Sequence, residues 1–533
     1  MKSVQQRDAV ERRVIASLYK HLGPSVGELD ELALANFEID PARYSSRESF
    51  LRDYAYVSFL RKWKGIKNER INPEWVAFAT WTQSEQLCFK TNVRLEHEAS
   101  TGSYSVAPSI ISDVQRKISR ILGPVNMERI AELCRFGTGA TFDKKRGTLS
   151  AEKTWKPSVT FDAIPVVCQI LSGDDYLGSL VGPFRDLTIV ETNRMVMVPK
   201  TVKTHRPIAA EPTLNGFVQQ GIGRYIRRRL FQFGVDLNDQ TINQDLAKRA
   251  YSEGFSTIDL SSASDTLCIN LVKLLLPREW FEILNSVRSP FTTYKGKRFR
   301  LSKFSSMGNA YTFELESMIF YALVSCVCVG DVSSVYGDDI VVKHEDYDRV
   351  VEILNWAGFN VNATKSYTVG SRFFESCGKH YFDGEEVTPC YQKDVCTRPH
   401  DYVRLHNRLV RAGMRLNLRL EFNIAARIVL DECRSIFGKK CPDIGPNVEY
   451  DEYFIKEDYA WKTDTVDRVS LISAITRPVV QAFCENERFV IAYYGRKLRS
   501  PSFLNVDPKG HVSDTTGSKL LLTRKYHWRS ATF

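Results

Sequence analysis

The stretch Val335-Tyr-Gly-Asp338-Asp339-Ile-Val-Val constrains the fold of this chain more than any other. Apolar, mostly β-branched residues on both sides of Gly-Asp-Asp read as two short strands joined by a tight hairpin. Turn chemistry alone would accept the glycine and one aspartate. Two adjacent carboxylates at the tip repel each other, so a counter-charge is expected to hold them there. A divalent cation is the natural one, because carboxylates and phosphate oxygens are hard ligands suited to Mg²⁺. Gly-Asp-Asp occurs in many turns. Between two β-type runs it is far more specific.

Two further segments belong with it. In Ser256-Thr-Ile-Asp259-Leu-Ser-Ser-Ala-Ser-Asp265 a β-branched strand ends at Asp259, at a sheet rim where a metal could reach it. Ser261 or Ser262 is placed to N-cap the helix that follows, with Asp265 about one turn further on. Taken alone, both aspartates are better explained as helix-start residues favoured by the helix dipole. In Ser305-Ser306-Met-Gly308-Asn309-Ala-Tyr-Thr312-Phe-Glu-Leu-Glu316 a glycine-containing loop runs into an apolar helix. A plain loop before a buried helix would read the same way, but its place between the two aspartate motifs argues against that.

Composition sets the frame. With 533 residues, 43% hydrophobic and 26% charged, the chain can bury a sizeable core, which excludes collagen, a coiled coil and disorder over most of its length. Its 73 Lys+Arg against 63 Asp+Glu give a formal net charge of +10, which suits a polyanionic partner, most often nucleic acid. The 12 cysteines show no Cys-x2-Cys spacing, so neither a zinc site nor a disulfide framework is expected. The N-terminal residues lack a signal-peptide core, and the longest apolar stretch, roughly 318–329, is shorter than the about 20 residues that span a bilayer. A soluble, intracellular protein is expected.

Along the chain, residues 1 to about 130 read as helical, with Val10–His21 and Ile111–Leu122 as examples, the second stopped by Gly123-Pro124. Residues 131–256 are mixed and rich in Gly, Lys and Arg. Residues 257–400 alternate apolar helical segments with β-type runs, Phe255–Leu260 leading into Ser334–Tyr336 and Ile340–Val342, an α+β pattern. A helical, basic segment follows from 401 and leads into a tail of little periodicity.

The order Asp-x5-Asp, then Ser-x-Gly-Asn-x2-Thr, then Tyr-Gly-Asp-Asp resembles the palm of template-directed RNA polymerases. The flanking text narrows the match. Arg194-Met-Val-Met-Val-Pro-Lys200-Thr-Val-Lys203-Thr-His-Arg206-Pro, Gly234-Val-Asp-Leu-Asn-Asp-Gln-Thr-Ile-Asn-Gln, Met307-Gly-Asn-Ala-Tyr-Thr-Phe-Glu-Leu-Glu-Ser and Phe374-Glu-Ser-Cys-Gly-Lys-His-Tyr are similar to the replicase subunit of the single-stranded RNA bacteriophages. The similarity is dense from about Cys134 to Thr388 and thin at both ends.

This resemblance implies an α+β, right-hand polymerase whose antiparallel palm sheet packs on helices. Residues 1–130 would form a helical N-terminal region, 131–256 the fingers, 257–400 the palm, and 401–533 the thumb and a basic tail. It implies an RNA-dependent RNA polymerase that copies a viral genome from nucleoside triphosphates using two Mg²⁺ ions, with Mn²⁺ as a substitute. Asp259, Asp338 and Asp339 would ligate the metals. Lys200, Lys203 and Arg206 would neutralise the incoming triphosphate. Asp265 and Asn309, with Ser306 and Gly308 nearby, would read the ribose 2′-hydroxyl, and Lys365 would stand near the leaving pyrophosphate, with a surface lysine as the plainer alternative. Many RNA polymerases carry Asn four residues after Thr312, where this chain and the resembling replicases have Glu316. The implied partners are template and product RNA, host elongation factors Tu and Ts and a ribosomal protein, in the cytoplasm of an infected bacterium and without a membrane.

Basic surfaces add to this. Arg224, Arg227, Arg228 and Arg229 lie on an apolar-faced helical segment that Gly234 stops; with no acidic residue there, phosphate contact is favoured over a solvated face. Arg404, Arg408, Arg411, Arg415 and Arg419 recur at helical spacing, which places all five on one stripe of a helix about 20 Å long. Leu405, Leu409, Ala412, Leu416 and Leu420 would occupy the adjoining face, and Gly413 is expected to interrupt the helix. The tail from Glu485 to Phe533 interleaves basic and aromatic residues, which suits single-stranded RNA or a merely solubilising tail equally well. Two rival functions stand beside the polymerase: a reverse transcriptase, against which a polar Asp265 argues, and a non-catalytic RNA-binding or assembly protein, which leaves three carboxylates unexplained.

Overall fold

The computed structural model describes residues 9–66, 71–148, 150–172, 187–330, 334–442, 444–446, 454–456, 468–482 and 513–528, the last two as backbone only. Helices and sheets are mixed. Helix Thr312–Val327 lies in the larger of two apolar cores because most of its residues are apolar: Leu315, Met318, Ile319, Phe320, Leu323 and Val324 are fully buried. It holds most of the longest apolar stretch of the sequence, and among the described residues no helix is long and apolar enough to cross a membrane. Helices Pro108–Leu122, Thr213–Gln232 and Tyr347–Trp356 pack around it. The first of these starts three residues before the expected Ile111, with Pro108 in its opening turn, and ends at Gly123 as expected.

A three-stranded antiparallel sheet, Phe255–Ile258 beside Asp339–Lys343 beside Ser334–Tyr336, rests on this core. Side chains alternate across it. Ile258, Val335, Ile340 and Val342 enter the larger core, while Phe255 and Val341 join Leu246 and Ala250 of helix Thr241–Glu253 on the other face. These strands match the expected runs to within two residues. A four-stranded sheet, in the order His205–Ala210, Thr192–Pro199, Phe291–Tyr294, Lys297–Arg300, has one face covered by helix Pro73–Thr101 through Phe78, Trp81, Met195 and Phe299.

The second core joins the two ends of the described fold. Helices Val10–Leu22 and Arg47–Phe59 pack with the helix pair Pro399–Leu416 and Arg419–Phe437, and Phe50 stacks against Phe382 at 4.8 Å between ring centres. The helices expected over residues 1–130 therefore divide between two cores: those before residue 60 join the C-terminal pair, and Pro73–Thr101 and Pro108–Leu122 join the larger core. Ser513–Trp528, expected to belong to a tail of little periodicity, forms a strand antiparallel to Arg468–Ala482. The other residues of that tail lie outside the described residues.

His406 is buried in the second core, edge-on to Phe454 and bonded through Nδ1 to Asn407 Oδ1 at 3.0 Å. Burial lowers its pKa to about 4, against the opposing pull of Asn407. Between the unfolded value of about 6.5 and the folded value, the unfolded chain binds a proton and the native chain does not, so stability falls as pH falls. The full effect is about 3 kcal/mol near pH 4. His406→Gln is expected to flatten the pH 4–6.5 limb of urea-denaturation stability, and an unchanged slope would refute this.

Candidate active site

The sheet register builds the site. Ile258 pairs with Ile340, so Asp259, one residue beyond its strand, falls beside Asp339 at the same end of the sheet. Asp339 pairs with Tyr336, leaving Gly337 and Asp338 as a two-residue turn. Gly337 has φ +62°, and a Cβ there would meet the Phe313 ring at 2.5 Å, so the turn needs glycine on two counts. Three carboxylates thus share one rim.

The rim is held from below. Asn362 Nδ2 donates to Asp259 Oδ2 at 3.0 Å, and Ser366 Oγ accepts the Asp259 N–H at 3.1 Å. Lys365 Nζ stands 3.9 Å from the same Asp259 oxygen. Cys377 N–H donates to Asp339 Oδ1 at 2.9 Å, and Asn243 Nδ2 to the Asp339 carbonyl at 3.0 Å. Burial pushes Asp339 up to about 6, with the charges of Asp338 and Asp259 adding to it, and burial also raises Asp259. Glu375 is close enough to add to both shifts; His380, 3.2 Å away, brings its own carboxyl below the ordinary range despite burial. Such a rim asks for positive charge.

Among the described residues no three His, Cys, Asp or Glu side chains converge as a ready-made cation cage. The donor set nevertheless fits Mg²⁺, which takes one or two carboxylates and fills its remaining positions with water and substrate phosphate. Basic residues face the rim. Burial, with the charges of Arg206 and Lys365, lowers the Lys200 pKa, while Asp259 and Asp338 pull the other way. Lys200 opens the turn that carries Lys203 and leads into the strand bearing exposed Arg206.

The loop before the central helix is fixed to that same strand. Ala209 N–H donates to the Met307 carbonyl at 2.8 Å, and Gly308, at φ +115°, lies so close that a Cβ would stand 2.2 Å from the Ala209 oxygen. Ser306 is buried, its carbonyl accepting from Asn309 N–H at 3.0 Å and Thr312 Oγ1 at 3.1 Å. Three buried polar atoms here have no hydrogen-bond partner among the described residues, Ser305 Oγ, Asn309 Nδ2 and Glu316 Oε2. Burial pushes the Glu316 carboxyl well above the ordinary range, with Asp338 and Asp265 adding negative charge. Asp265 is buried and bonded to Lys303 Nζ at 2.6 Å. The expected serine N-cap beside it is absent: Ser262 takes φ +56° without a side-chain cap, and its carbonyl receives the Asp265 N–H.

The arginine clusters separate on inspection. Arg227 donates to Glu314 at 2.7 and 3.0 Å and to the Leu237 carbonyl at 2.6 Å, and Arg229 donates to the Ile121 and Arg120 carbonyls, so these two tie helix Thr213–Gln232 to its neighbours. Arg228 is exposed and Arg224 half-buried. Arg227→Met strands the buried Glu314 carboxylate and is expected to cost about 1–3 kcal/mol of stability, with the salt dependence of RNA binding unaltered. Equal stability by urea denaturation would contradict it.

The expected stripe of five arginines is broken. Arg404, Arg408, Arg411 and Arg415 share helix Pro399–Leu416, but Asn417 ends it at φ +58° and Arg419 opens the next helix. Leu420 is exposed, not on the adjoining apolar face. Gly413 does not interrupt the helix; it lets the second helix approach, since a Cβ there would meet Phe422 Cβ at 2.8 Å. Arg408 donates to the Tyr391 carbonyl and Gln392, and Arg415 to the Thr388 carbonyl and Glu386.

Sequence reasoning missed Asn362, Ser366, Cys377, Lys303 and Glu85. Two left a sequence signal: Cys377 lies within the motif Phe374-Glu-Ser-Cys-Gly-Lys-His-Tyr, and Asn362 stands three residues before Lys365.

The chain belongs to the RNA replicase beta-chain family, whose model matches residues 15–416. Among relatives, the RNA-directed RNA polymerase subunit beta of Qbeta virus (strain MX1) is 38% identical over 383 residues, covering 69% of this chain and 63% of that one. The same subunit of Escherichia virus Qbeta is 39% identical over 354 residues, covering 64% and 59%. That of Enterobacteria phage SP is 33% identical over 419 residues, covering 76% and 71%. The match to the two Qbeta subunits therefore spans less than two thirds of their length. A solved "RdRp complex" overlays loosely, with TM-score 0.39 and 11% identity over 61% of this chain and 32% of that one.

Proposed function

We propose that this chain is an RNA-dependent RNA polymerase that copies a single-stranded viral RNA genome from nucleoside triphosphates. The observation that carries the reading is the three-carboxylate rim of Asp259, Asp338 and Asp339 faced by Lys200, which lies in the field of two of them. The sheet and its helices act as the palm, the four-stranded sheet and the Lys200 turn belong to the fingers, and the helix pair from Pro399 belongs to the thumb. Two Mg²⁺ ions on the three aspartates would activate the attacking 3′-hydroxyl and stabilise the leaving oxygen. Lys200, Lys203 and Arg206 hold the triphosphate. Asp265 and Asn309, beside Ser306 and Gly308, read the ribose, the unpartnered Asn309 amide being suited to a sugar hydroxyl. Lys365 donates a proton toward the pyrophosphate side. Arg224, Arg228 and the arginines from Arg404 to Arg419 meet RNA phosphates.

Host elongation factors Tu and Ts and a ribosomal protein are the proposed partners, in the bacterial cytoplasm. The test is incorporation of labelled ribonucleotides on an RNA template with Mg²⁺, with and without the elongation factors, and with deoxynucleotides in parallel. Ribonucleotide incorporation supports the reading. Preference for deoxynucleotides would turn it to reverse transcription, and RNA binding without incorporation to an assembly protein.

A further inference from the structure

Lys303 is one of two described lysines that this basic chain buries almost completely: it is 1% exposed. Its ammonium donates to Asp265 Oδ1 at 2.6 Å, stands 3.6 Å from Glu85 Oε1 and lies over the Trp81 ring at 5.3 Å. Removing a lysine this far from water is costly unless its charge does something there. Glu85 is fixed in turn. Its Oε2 accepts the Ser302 N–H at 2.6 Å and the Lys303 N–H at 3.4 Å. Asn92, two turns further along the same helix, donates to the Ser302 carbonyl at 2.7 Å and accepts the Asn270 N–H at 2.8 Å. Helix Pro73–Thr101 therefore grips the backbone around residue 302 and points one buried cation at one oxygen of Asp265.

We infer that Lys303, balanced by Glu85, is the positioning residue that sets how Asp265 presents its carboxylate to the sugar of the incoming nucleotide. The inference rests on the reading of Asp265 as a ribose-recognition residue. With Oδ1 engaged by the ammonium, Asp265 cannot rotate freely, and its other oxygen is left as a hydrogen-bond acceptor for a sugar hydroxyl. Without the ammonium, Oδ1 loses the partner that fixes it, the carboxyl turns, and acceptor geometry is lost. Glu85 matters because it shares the lysine's charge. Without its charge Lys303 is drawn wholly to Asp265, which then accepts less well from a ligand.

The experiment compares kcat/KM for a ribonucleoside and the matching 2′-deoxyribonucleoside triphosphate in the full chain, assayed with its host factors where they are required. Lys303→Met is expected to lower the ribo-to-deoxy ratio by about tenfold, and Glu85→Gln, which keeps an oxygen for both N–H groups, by a smaller factor in the same direction. A purely structural role would lower both substrates equally and leave the ratio unchanged. Asp265→Asn tests the underlying reading, since that reading fails if this variant keeps the parental ratio. If Asp265→Asn lowers the ratio while Lys303→Met and Glu85→Gln do not, the reading stands and the positioning role is overturned. If Lys303→Met does not fold, Glu85→Gln decides alone. The double variant Asp265→Asn/Lys303→Met is expected to match Asp265→Asn, and an additive loss would show that Lys303 acts by another route.

Discussion

Asp339→Asn is expected to lower nucleotide incorporation by about 10³-fold while leaving the metal-free protein as stable as before, or more so. The two effects have opposite signs for one reason. Burial and the neighbouring aspartates hold Asp339 near pKa 6, above the ordinary 3.8, so the ionised form at pH 7 is a charge the fold tolerates at a cost. A raised carboxyl favours folding only when protonated, and that contribution fades as pH rises from about 4 to 6, leaving a debit of about 2–3 kcal/mol at neutral pH. Asparagine lifts that cost and can still accept the Cys377 N–H through its amide oxygen. The check is a thermal melt with and without Mg²⁺ beside the incorporation assay. Mg²⁺ should raise the midpoint of the parent, because it binds only the folded rim, and raise that of the variant much less. A variant that folds normally and turns over at the parental rate would sink the metal-ligand role.

Gly308→Ala is expected to have the next largest effect, through backbone rather than chemistry. At φ +115° an L residue is strained, and the added methyl would stand 2.2 Å from the Ala209 carbonyl oxygen, which cannot swing aside without breaking the strand. The loop must lift, losing the Ala209–Met307 hydrogen bond, at a combined cost of about 3–5 kcal/mol. That loop carries Ser306 and Asn309, and the strand carries Arg206, so the proposed sugar and phosphate contacts would separate together. Incorporation should fall about 10²-fold, with much of the loss in KM for the nucleotide. Gly216→Ala, within helix Thr213–Gln232 and with open space around it, is the matched control and should leave activity alone while slightly raising stability. Equal behaviour of the two variants would contradict the account.

What could be read from the sequence was what neighbours in sequence decide. The strands around Asp338 and Asp339 were legible because β-branched residues and a glycine-first turn specify a hairpin locally, and Val10–Leu22 and Pro108–Leu122 because their apolar residues recur at helical spacing. The spacing of Arg404 to Arg419 was equally regular, yet the helix stops at Asn417, where asparagine's tolerance of the left-handed region outweighs periodicity. Gly413 was misread because a glycine within a helix looks like a break until the second helix is laid against it. The partners of Arg227 and Lys303 were out of reach altogether. Glu314 lies 87 residues from Arg227, and Glu85 218 from Lys303, and a charged side chain alone does not say whether it faces RNA or a distant carboxylate.

The second core has a consequence for how the chain is made. Val10–Leu22 is synthesised before Arg419–Phe437, against which it buries much of its apolar face. At roughly 5–20 residues per second, about 20–80 s of synthesis separate the two. Throughout that interval Val10, Val14, Leu18 and Leu22 have no native partner on the later helix, a standing invitation to chaperones, to aggregation or to another protein's apolar groove. Completion of this half of the molecule is thus timed by translation, and the larger core, whose segments lie between residues 88 and 361, can close while the first helices are still waiting.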